Sequence, residues 1–565
     1  MERPWLKSYP AGMPADIELG EKDTLVTVFD DSVARFAERP AFACMGRTLT
    51  YGELDRLSRE FAGYLQGDLG LEAGSRVAIM LPNILQYPVA LFGVLRAGMT
   101  VVNVNPLYTA RELKHQLTDA GADAIVILEN FASTLAQVVA ETPVRHVVVT
   151  AIGDMLPFPK RQITNFVVRN VKKMVPAWSI PGHVTLGDAL SRGRARGFRP
   201  VSVAQDALAF LQYTGGTTGV SKGAMLTHRN MVGNLRQMHA CIGALVEEGR
   251  EVVITALPLY HVFSLVCNCL LFASVGGVNV LITNPRDIPG FVKELSKWPF
   301  SIITGVNTLY SALLQDPGFA GLDFSRLKWA GAGGMALQAS VAQKWREVTG
   351  HRVYEGYGLT ETSPVVTMQP HGEQEAAFTG TIGLPLPSTE VAIRDEQGHD
   401  LPVGEAGELC VRGPQVMAGY WQRPEATDEV MYPDGFLRTG DVATMDAAGF
   451  FRIVDRKKDM VLVSGFNVYP NEVENVLTLH PEIVEAACIG VPDPKSTEAV
   501  KVFVVLSAGS SLDAAGVVAH CREHLTGYKV PRHVEFRAEL PKTNVGKILR
   551  RTLRDEELAR AGASG

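Results

Sequence analysis

The chain has 565 residues, several times the length of a typical domain, and 46% of them are hydrophobic, which is enough for large packed cores. Charged residues make up 20% and the net charge is −6, so the composition argues against a disordered chain and against a nucleic-acid-binding protein. The seven cysteines are scattered and form no CxxC pair, which excludes common zinc spacings and a disulfide framework and favours a reducing compartment.

Buried strand patterns alternate with helical periods through the first three quarters of the chain. Apolar strands over 76–82 and 100–106 are each followed by a helical pattern, near Tyr87–Arg96 and Ala110–Ala120 respectively. Such alternation predicts an α/β fold of layered subdomains with mostly parallel strands. From about Gly383 short strands with turn signals take over, which predicts a β-rich subdomain.

One apolar stretch, Val252–Pro285, contains no Asp, Glu, Lys or Arg and could be mistaken for a membrane span. A spanning helix needs about 20 mainly apolar residues, whereas Pro258, His261 and Asn268 interrupt this stretch. We therefore predict two short buried strands flanking a helix near Ser264–Phe272.

A charged segment near the C-terminal end predicts a domain boundary. The residues DRKKD, 455–459, lie between two apolar strands, and a compact β/α pattern with a helix near Ala514–Leu525 follows them. We expect a large N-terminal region over 1–455 and a small α+β C-terminal domain over 456–565, with the boundary at 455–459.

A local excess of positive charge lies between Met155 and Pro200, where nine Lys and Arg residues stand against one acid. Within it, apolar residues recur at helical spacing over Lys160–Met174, namely Ile163, Phe166, Val167, Val171 and Met174. A basic amphipathic helix is typical of contact with a membrane surface. An ordinary surface helix that packs its apolar stripe on the core is the alternative interpretation.

The segment Tyr213–Gly223, YTGGTTGVSKG, has the composition of a phosphate-binding loop. Its glycines permit close backbone approach, its hydroxyls can donate hydrogen bonds, and Lys222 adds a cation. It is not a Walker loop, because Gly223 follows the lysine and the chain then continues as a strand. A hairpin turn is the alternative, but it needs only one or two special residues. We predict an anion cradle suited to the phosphates of ATP.

Three later motifs carry further candidate residues. Tyr354–Glu361, YEGYGLTE, follows a predicted strand, and ligands of open α/β sheets lie outside the carboxyl ends of strands. There Tyr357 is suited to stacking on a base and Glu361 to holding Mg²⁺. Asp441 lies in a tight turn and suits ribose hydroxyls, while Lys547 lies in a glycine-containing loop before a helix. Taken singly, these residues also fit a solvated acid, a turn former and a surface lysine.

In this order and spacing, the four motifs resemble the adenylate-forming superfamily of acyl-CoA synthetases, peptide-synthetase adenylation domains and luciferases. The resemblance covers essentially the whole chain. The runs ITGVNTLY, GPQVMAGYWQRPEATDE and VDRKKDMVLVSGFNVYPNEVE are similar to the bacterial long-chain fatty-acyl-CoA synthetases. That group usually has Trp and His where this chain has Phe436 and Arg438, a difference that bears on chain-length preference more than on activity.

The resemblance implies an ATP-dependent ligase that joins a long-chain fatty acid to CoA through an acyl-AMP. The alternative is a related ligase for another carboxylic acid or another thiol acceptor. ATP, Mg²⁺ and CoA are then the expected cosubstrates and metal, and no nucleic acid is expected. The expected location is the cytoplasm, peripheral on the inner face of the membrane, and a homodimer is compatible with the resemblance.

The resemblance also implies roles for individual residues. Lys547, Thr214 and Glu361 would be catalytic, and Thr218 and Glu361 would hold the metal. The ATP site would comprise Thr214, Gly215, Gly216, Thr217, Thr218, Gly219, Lys222, Tyr357, Gly358, Thr360, Asp441, Arg456 and Lys547. The acyl site would comprise His261, Val262, Phe263, Gly305, Gly333 and Gly334, with a satisfied core histidine as the alternative for His261. Lys458 would be the hinge of a mobile C-terminal domain, and Ser464, Gly465 and Phe466 would face the pantetheine tunnel.

Overall fold

The computed structural model describes residues 3–214, 221–371, 378–464, 466–493 and 496–563, and within these ranges the strands form four sheets. The first sheet is parallel except at one edge, where Leu208–Thr214 and Lys222–Thr227 pair antiparallel. In spatial order its strands are Val184–Thr185, His146–Thr150, Ala124–Leu128, Arg76–Met80, Thr100–Asn103, Leu208–Thr214 and Lys222–Thr227.

The second sheet is parallel through its centre and antiparallel at both ends. In spatial order its strands are Leu384–Pro385, Val365–Met368, Val353–Gly358, Trp329–Ala332, Ile302–Gly305, Val252–Thr255, Val278–Leu281, Pro40–Cys44 and Arg47–Thr50. Because its central strands are parallel, Thr255, Gly305, Ala332 and Gly358 end at one edge of the sheet, which is where ligands bind in such folds.

The third sheet is antiparallel, and a separate sheet follows it at the C-terminal end of the chain. The third sheet is formed, in order, by Glu390–Arg394, Gly407–Arg412, Leu437–Met445 and Phe451–Arg456. The C-terminal sheet is formed by Phe466–Val468, Val461–Val463, Thr497–Leu506 and Ile483–Asp493, with His533–Phe536 parallel to Thr497–Leu506. Residues 457–460 thus connect the last strand of one sheet to a strand of the other.

Helices cover the sheets, and several begin and end at capping residues. Ala110–Ala120, for example, is preceded by Thr109 in a capping box with Glu112 and followed by Gly121 in the left-handed conformation. The α-helices are Leu25–Phe36, Tyr51–Gly63, Gln86–Arg96, Ala110–Ala120, Ala132–Ala136, Lys160–Phe166, Leu186–Arg196, His228–Ile242, Val262–Ser264, Leu271–Ser274, Ile288–Leu295, Asn307–Gln315, Ala339–Thr349, Pro424–Val430, Pro470–Leu477, Ala514–His524 and Arg550–Ala563.

The predicted α/β fold, with a β-rich subdomain and a small α+β C-terminal domain, is confirmed. In the charge-free stretch, Val252–Thr255 and Val278–Leu281 are buried strands of the second sheet. The helical segment between them contains a π-helical turn, Leu265–Leu270, which joins two short α-helices. In the described part of the chain, no helix is both long enough and apolar enough to cross a membrane.

Candidate functional site

The predicted phosphate cradle begins and ends on two paired strands. Thr214 ends one strand of the first sheet, Lys222 begins the next, and the two residues lie directly opposite each other. The Lys222 ammonium lies 5.1 Å from the centroid of the Tyr420 ring. The five candidate residues between the two strands lie outside the described residues, as does Gly465; they are Gly215, Gly216, Thr217, Thr218 and Gly219.

The second motif occupies the carboxyl end of the strand Val353–Gly358 and the turn after it. A methyl group placed on Gly358 would lie 1.8 Å from the Pro364 carbonyl oxygen, so only glycine fits there. Thr360 and Glu361 follow in a short 3₁₀ turn. The strand therefore delivers Tyr357 and Glu361 to the same edge of the sheet.

Tyr357, Asp441 and Arg456 form one hydrogen-bonded cluster. The Tyr357 hydroxyl donates to Asp441 Oδ2 at 2.6 Å, and Arg456 Nε lies 3.1 Å from Asp441 Oδ1. The Asp441 and Arg456 backbones are opposite each other in the third sheet. Burial, and then the negative charge of Asp441, raise the pKa of Tyr357, so its hydroxyl remains a donor. This cluster joins the second and third sheets at the site.

Lys547 reaches this region from the C-terminal domain. A methyl group placed on Gly334 would lie 3.0 Å from Lys547 Cε and 3.4 Å from its Nζ. The loop is docked by a hydrogen bond from Thr308 Oγ1 to the Gly546 carbonyl at 3.1 Å. Burial, and then the positive charge of Arg456, lower the pKa of Lys547 to about 8. The structure thus places a partly desolvated lysine beside the residues predicted to hold ATP.

His261 lies in the same region and caps a helix. Its Nδ1 accepts a hydrogen bond from the Phe263 amide at 3.3 Å. Burial, and then the charge of Lys547, lower the pKa of His261 to about 3, so the ring is neutral. The Nδ1 atom of His261 therefore has a hydrogen-bond partner, and the Lys547 ammonium is close enough to affect the pKa of the ring.

The other predicted acyl residues lie at or after the carboxyl ends of second-sheet strands. Val262 is buried, and a methyl group on Gly333 would lie 3.3 Å from the Phe263 ring. Gly305 ends the strand that pairs with Trp329–Ala332, and Gly334 is the residue next to Lys547. Of the residues predicted for an alkyl chain, Phe263 and Gly305 both lie against Gly333.

Glu361 lies on a cleft near the cluster of Tyr357, Asp441 and Arg456. Its carboxylate Oε1 accepts a hydrogen bond from the Tyr420 hydroxyl at 2.7 Å. The cleft has a volume of about 380 Å³ and is lined by Leu359, Glu361, Glu408, Tyr420, Glu429, Val430, Leu437, Arg438, Thr439 and Gly440. Arg438 pairs with Glu408 at 3.1 Å in its wall, so this departure from the family signature supports the strand that carries Asp441.

The predicted hinge lies in a turn between the third and the C-terminal sheets. The Asp459 amide donates to the Arg456 carbonyl at 2.9 Å, which makes Lys458 the third residue of a β-turn. Ser464 and Phe466 make contacts within the C-terminal domain: the Ser464 amide donates to the Ser496 carbonyl, and Phe466 stacks on Tyr528.

The basic stretch over Lys160–Met174 presents its apolar residues to solvent. It forms the helix Lys160–Phe166 and a π-helical turn, Val167–Val171. Phe166 and Val171 are 60% and 64% exposed, and the preceding Phe158 is 81% exposed. Arg169, in contrast, forms a bidentate pair with the buried Glu129, at 2.8 and 2.9 Å. Four of the five apolar side chains, Ile163, Phe166, Val171 and Met174, are therefore exposed instead of packed on the core. Arg169, one of the five Lys and Arg residues in this stretch, is neutralised by Glu129.

Tyr420 is a site residue to which the sequence interpretation assigned no role. It lies within the run GYWQRPEATDE, and the one available signal was this aromatic pair, Tyr420 and Trp421, between two predicted motifs. Neither periodicity nor composition relates it to Glu361, which is 59 residues away.

The site and the fold define an enzyme of one family. The family model described as "AMP-binding enzyme" matches residues 29–421, and the "AMP-binding enzyme C-terminal domain" model matches residues 472–547. The chain therefore belongs to the AMP-binding enzyme family.

Named relatives are similar over nearly the whole chain. A long-chain-fatty-acid–CoA ligase of Yersinia pestis is 58% identical over 558 residues, covering 99% of each chain. The enzyme of the same name from Escherichia coli O6:H1 is 57% identical over 557 residues, covering 98% of each chain. The crystal structure of an anthranilate CoA ligase in complex with anthranoyl-AMP superimposes with a TM-score of 0.85 at 25% identity, covering 96% of this chain and 99% of that one.

Proposed function

We propose that this chain is an ATP-dependent long-chain fatty acid:CoA ligase that works through an acyl-AMP intermediate. The observation that carries the proposal is the position of Lys547, which a separate domain brings against Gly334 and near the Tyr357–Asp441–Arg456 cluster. The similarity to long-chain-fatty-acid–CoA ligases over the whole chain supports the substrate class.

In the first half-reaction the fatty carboxylate attacks the α-phosphorus of ATP, and pyrophosphate leaves. Negative charge builds up on the α-phosphate, where the Lys547 ammonium can stabilise it in a site partly shielded from water. Asp441 and Arg456 would hold the ribose hydroxyls, and Thr214 and Lys222 would contact the phosphates. The CoA thiol then displaces AMP from the acyl carbon, which gives the thioester.

Of the two residues predicted to hold the metal, Glu361 lies in the described part of the chain, and its chemistry suits Mg²⁺. Glu361 offers a carboxylate, the hard oxygen ligand that Mg²⁺ prefers, and its orientation is fixed by the Tyr420 hydroxyl. When bound, the metal would neutralise phosphate charge. Glu361 would hold it together with Thr218.

The two half-reactions call for different positions of the C-terminal domain. Lys458 would be the hinge between 1–455 and 456–565, and the loop with Ser464, Gly465 and Phe466 would replace Lys547 at the site for thioester formation. Proline at position 458 is a poor test, because the third position of this turn disfavours proline even before any rotation. A reversible cross-link of the docked Lys547 loop tests this motion without changing the turn.

An acid panel tests the function. Pyrophosphate release and CoA thioester formation should be measured for C4 to C18 acids, benzoate and ferulate. Each buried CH₂ contributes about 0.8 kcal/mol, so kcat/KM should rise steeply from C6 to C12 and beyond. A flat profile, or preference for an aryl acid, would instead favour the alternative ligase.

The exposed segment Phe158–Met174 would give peripheral contact with anionic membranes, from which long-chain acids could enter. Apolar insertion of Phe158 and Phe166 would be aided by Lys172 and Lys173, since each cation near an anionic surface contributes about 1 kcal/mol. Arg169 is unsuitable for charge reversal, because a glutamate there would face the buried Glu129.

Co-sedimentation with phosphatidylglycerol vesicles tests this contact. Lys172→Glu combined with Lys173→Glu should reduce binding at low salt at least about 10-fold, and wild-type binding should fall at high salt. Lys22→Glu with Lys344→Glu, on other elements, makes the same change in net charge and is the control. Equal sedimentation of both double variants would mean that this segment is not the contact.

A further inference from the structure

The segment Met417–Trp421 connects the two sides of the phosphate region. It runs antiparallel beside the strand Lys222–Thr227, where the Trp421 amide donates to the Gly223 carbonyl at 2.8 Å. Tyr420 therefore has a fixed backbone position next to the strand that begins with Lys222.

The same segment also fixes Glu361. The Met417 amide donates to the Glu361 carbonyl at 2.8 Å, and the Tyr420 hydroxyl donates to Glu361 Oε1 at 2.7 Å. A carboxylate oxygen has no proton to donate, so the Tyr420 hydroxyl is the donor in this bond. This bond fixes the orientation of the Glu361 carboxylate and leaves Oε2 available to a ligand.

Tyr420 also supports the cation of the cradle without neutralising it. The Lys222 ammonium lies 5.1 Å from the ring centroid, within the range of a cation–π contact. In the described residues Lys222 contacts the Tyr420 ring and Glu361 accepts from the Tyr420 hydroxyl, and no ion pair joins Lys222 to Glu361. A direct Lys–Glu pair would use up a positive charge needed by phosphates and a negative charge needed by a metal ion.

We propose that Tyr420 is a positioning residue that holds Glu361 through its hydroxyl and Lys222 through its ring, and so keeps the two opposite charges apart and available. This inference rests on the proposed function, in which Glu361 faces Mg²⁺ and Lys222 faces the ATP phosphates. The hydroxyl and the ring of Tyr420 thus have different roles, and two substitutions can test these roles separately.

Tyr420→Phe keeps the ring and loses only the bond to Glu361, whereas Tyr420→Leu loses both contacts. We expect Mn²⁺ affinity in the presence of ATP, measured by electron paramagnetic resonance without fatty acid, to fall about 10-fold or more in Tyr420→Phe, as for other residues that orient a metal ligand. The Mg²⁺ concentration for half-maximal pyrophosphate release should rise by a similar factor, and excess Mg²⁺ should restore the rate. In Tyr420→Leu the KM for ATP should also rise several-fold and persist at excess Mg²⁺.

Tyr432→Phe is the matched control, because in the described structure the Tyr432 hydroxyl is buried without a hydrogen-bond partner. It should leave Mn²⁺ affinity unchanged. Unchanged Mn²⁺ affinity in Tyr420→Phe, with a melting temperature equal to that of the wild type, would overturn the proposal, and so would an ATP defect in Tyr420→Leu that excess Mg²⁺ abolishes. Failure of the wild type to activate any fatty acid would instead contradict the proposed function, since Mn²⁺ binding is measured without that substrate.

Discussion

The two sides of the candidate site are assembled in different ways. Tyr357, Asp441 and Arg456 come from strands of the second and third sheets, and hydrogen bonds or charge contacts join each of them to another. Lys547 comes from a loop of the C-terminal domain, and that loop docks through the hydrogen bond between Thr308 and Gly546.

We infer from this difference that Tyr357, Asp441 and Arg456 remain in the site throughout the reaction, whereas Lys547 can leave it. The Lys547 loop docks through neutral hydrogen bonds, from Thr308 to Gly546 and between Tyr260 and Asn544, each contributing about 1 kcal/mol, whereas the bonds to the charged Asp441 contribute about 1.5–3 kcal/mol each. We infer that the loop can undock while the cluster stays in place. We therefore expect substitutions in the cluster to impair both half-reactions, and substitution of Lys547 to impair only the first.

The largest expected effect is that of Lys547→Ala. Without the ammonium, acyl-AMP formation should fall by about 10²–10³-fold, the usual effect of removing one donor that stabilises a developing charge. Conversion of supplied acyl-AMP to acyl-CoA should remain near the wild-type rate. The control is Lys542→Ala in the same loop, because Lys542 pairs with Glu485 at 2.6 Å. Equal loss of both half-reactions in Lys547→Ala would contradict the proposal that Lys547 acts in the first half-reaction alone.

Asp441→Asn should have the next largest effect and should act on both half-reactions. It weakens the bonds to Tyr357 and Arg456, so KM for ATP and KM for supplied acyl-AMP should each rise roughly 10–100-fold. Asp446→Asn, in an exposed turn of the same sheet, is the control. A defect confined to acyl-AMP formation would place Asp441 with Lys547 rather than with the fixed cluster.

The pH dependence should follow the charge of Lys547. The pKa of this group is lowered from 10.5 to about 8, so the ammonium is present below pH 8 and is lost as the pH rises above it. The kcat/KM for ATP in adenylation should therefore fall about tenfold per unit above pH 8. In Lys547→Arg, whose guanidinium keeps its charge, the fall should move to higher pH. Persistence of the same limb in that variant would assign it to another group.

The smallest expected effect comes from the docking bond itself. Thr308→Val removes the hydroxyl that donates to Gly546 and should slow adenylation about fivefold, since the bond contributes about 1 kcal/mol. Thr308→Ser keeps the hydroxyl and should retain most of the rate. An equal rate in Thr308→Val and the wild type would mean that other contacts hold the loop.

Local signals account for much of the fold. A helix near Ala110–Ala120 was predicted from its helical period, and the structure has it at those bounds, with Thr109 and Gly121 at its ends. The helix between Val252–Thr255 and Val278–Leu281 was also predicted, but its π-helical turn was not, since no periodicity distinguishes such a turn. The resemblance supplied the site residues by motif.

Contacts between distant residues account for what the sequence could not predict. The pair of Arg169 with Glu129 depends on how two segments 40 residues apart pack, and it changes the charge available to a membrane. The placement of Lys547 beside Gly334 depends on the orientation of a whole domain. The contact of Arg169 with Glu129 lowers the positive charge expected on the surface of the basic stretch. The contact of Lys547 with Gly334 gives the lysine that was predicted to be catalytic its position.

A disulfide between the docked loop and the large domain tests the central claim most directly. A Cβ atom placed on Gly546 lies 3.8 Å from the Thr308 Cβ, which matches the mean spacing in disulfides. The native cysteines are buried, so Thr308→Cys with Gly546→Cys can be oxidised selectively. Gly546 has a φ of 83°, so the single variant Gly546→Cys is needed to account for backbone strain.

The measurement compares acyl-AMP and acyl-CoA formation in the oxidised and the reduced double variant. Because oxidation holds Lys547 in place, the oxidised enzyme should form acyl-AMP from fatty acid and ATP but make no acyl-CoA, and a thiol reductant should restore acyl-CoA formation. If the fully oxidised enzyme formed acyl-CoA as fast as the reduced enzyme, the account would be contradicted, because Lys547 would then not have to leave between the two half-reactions.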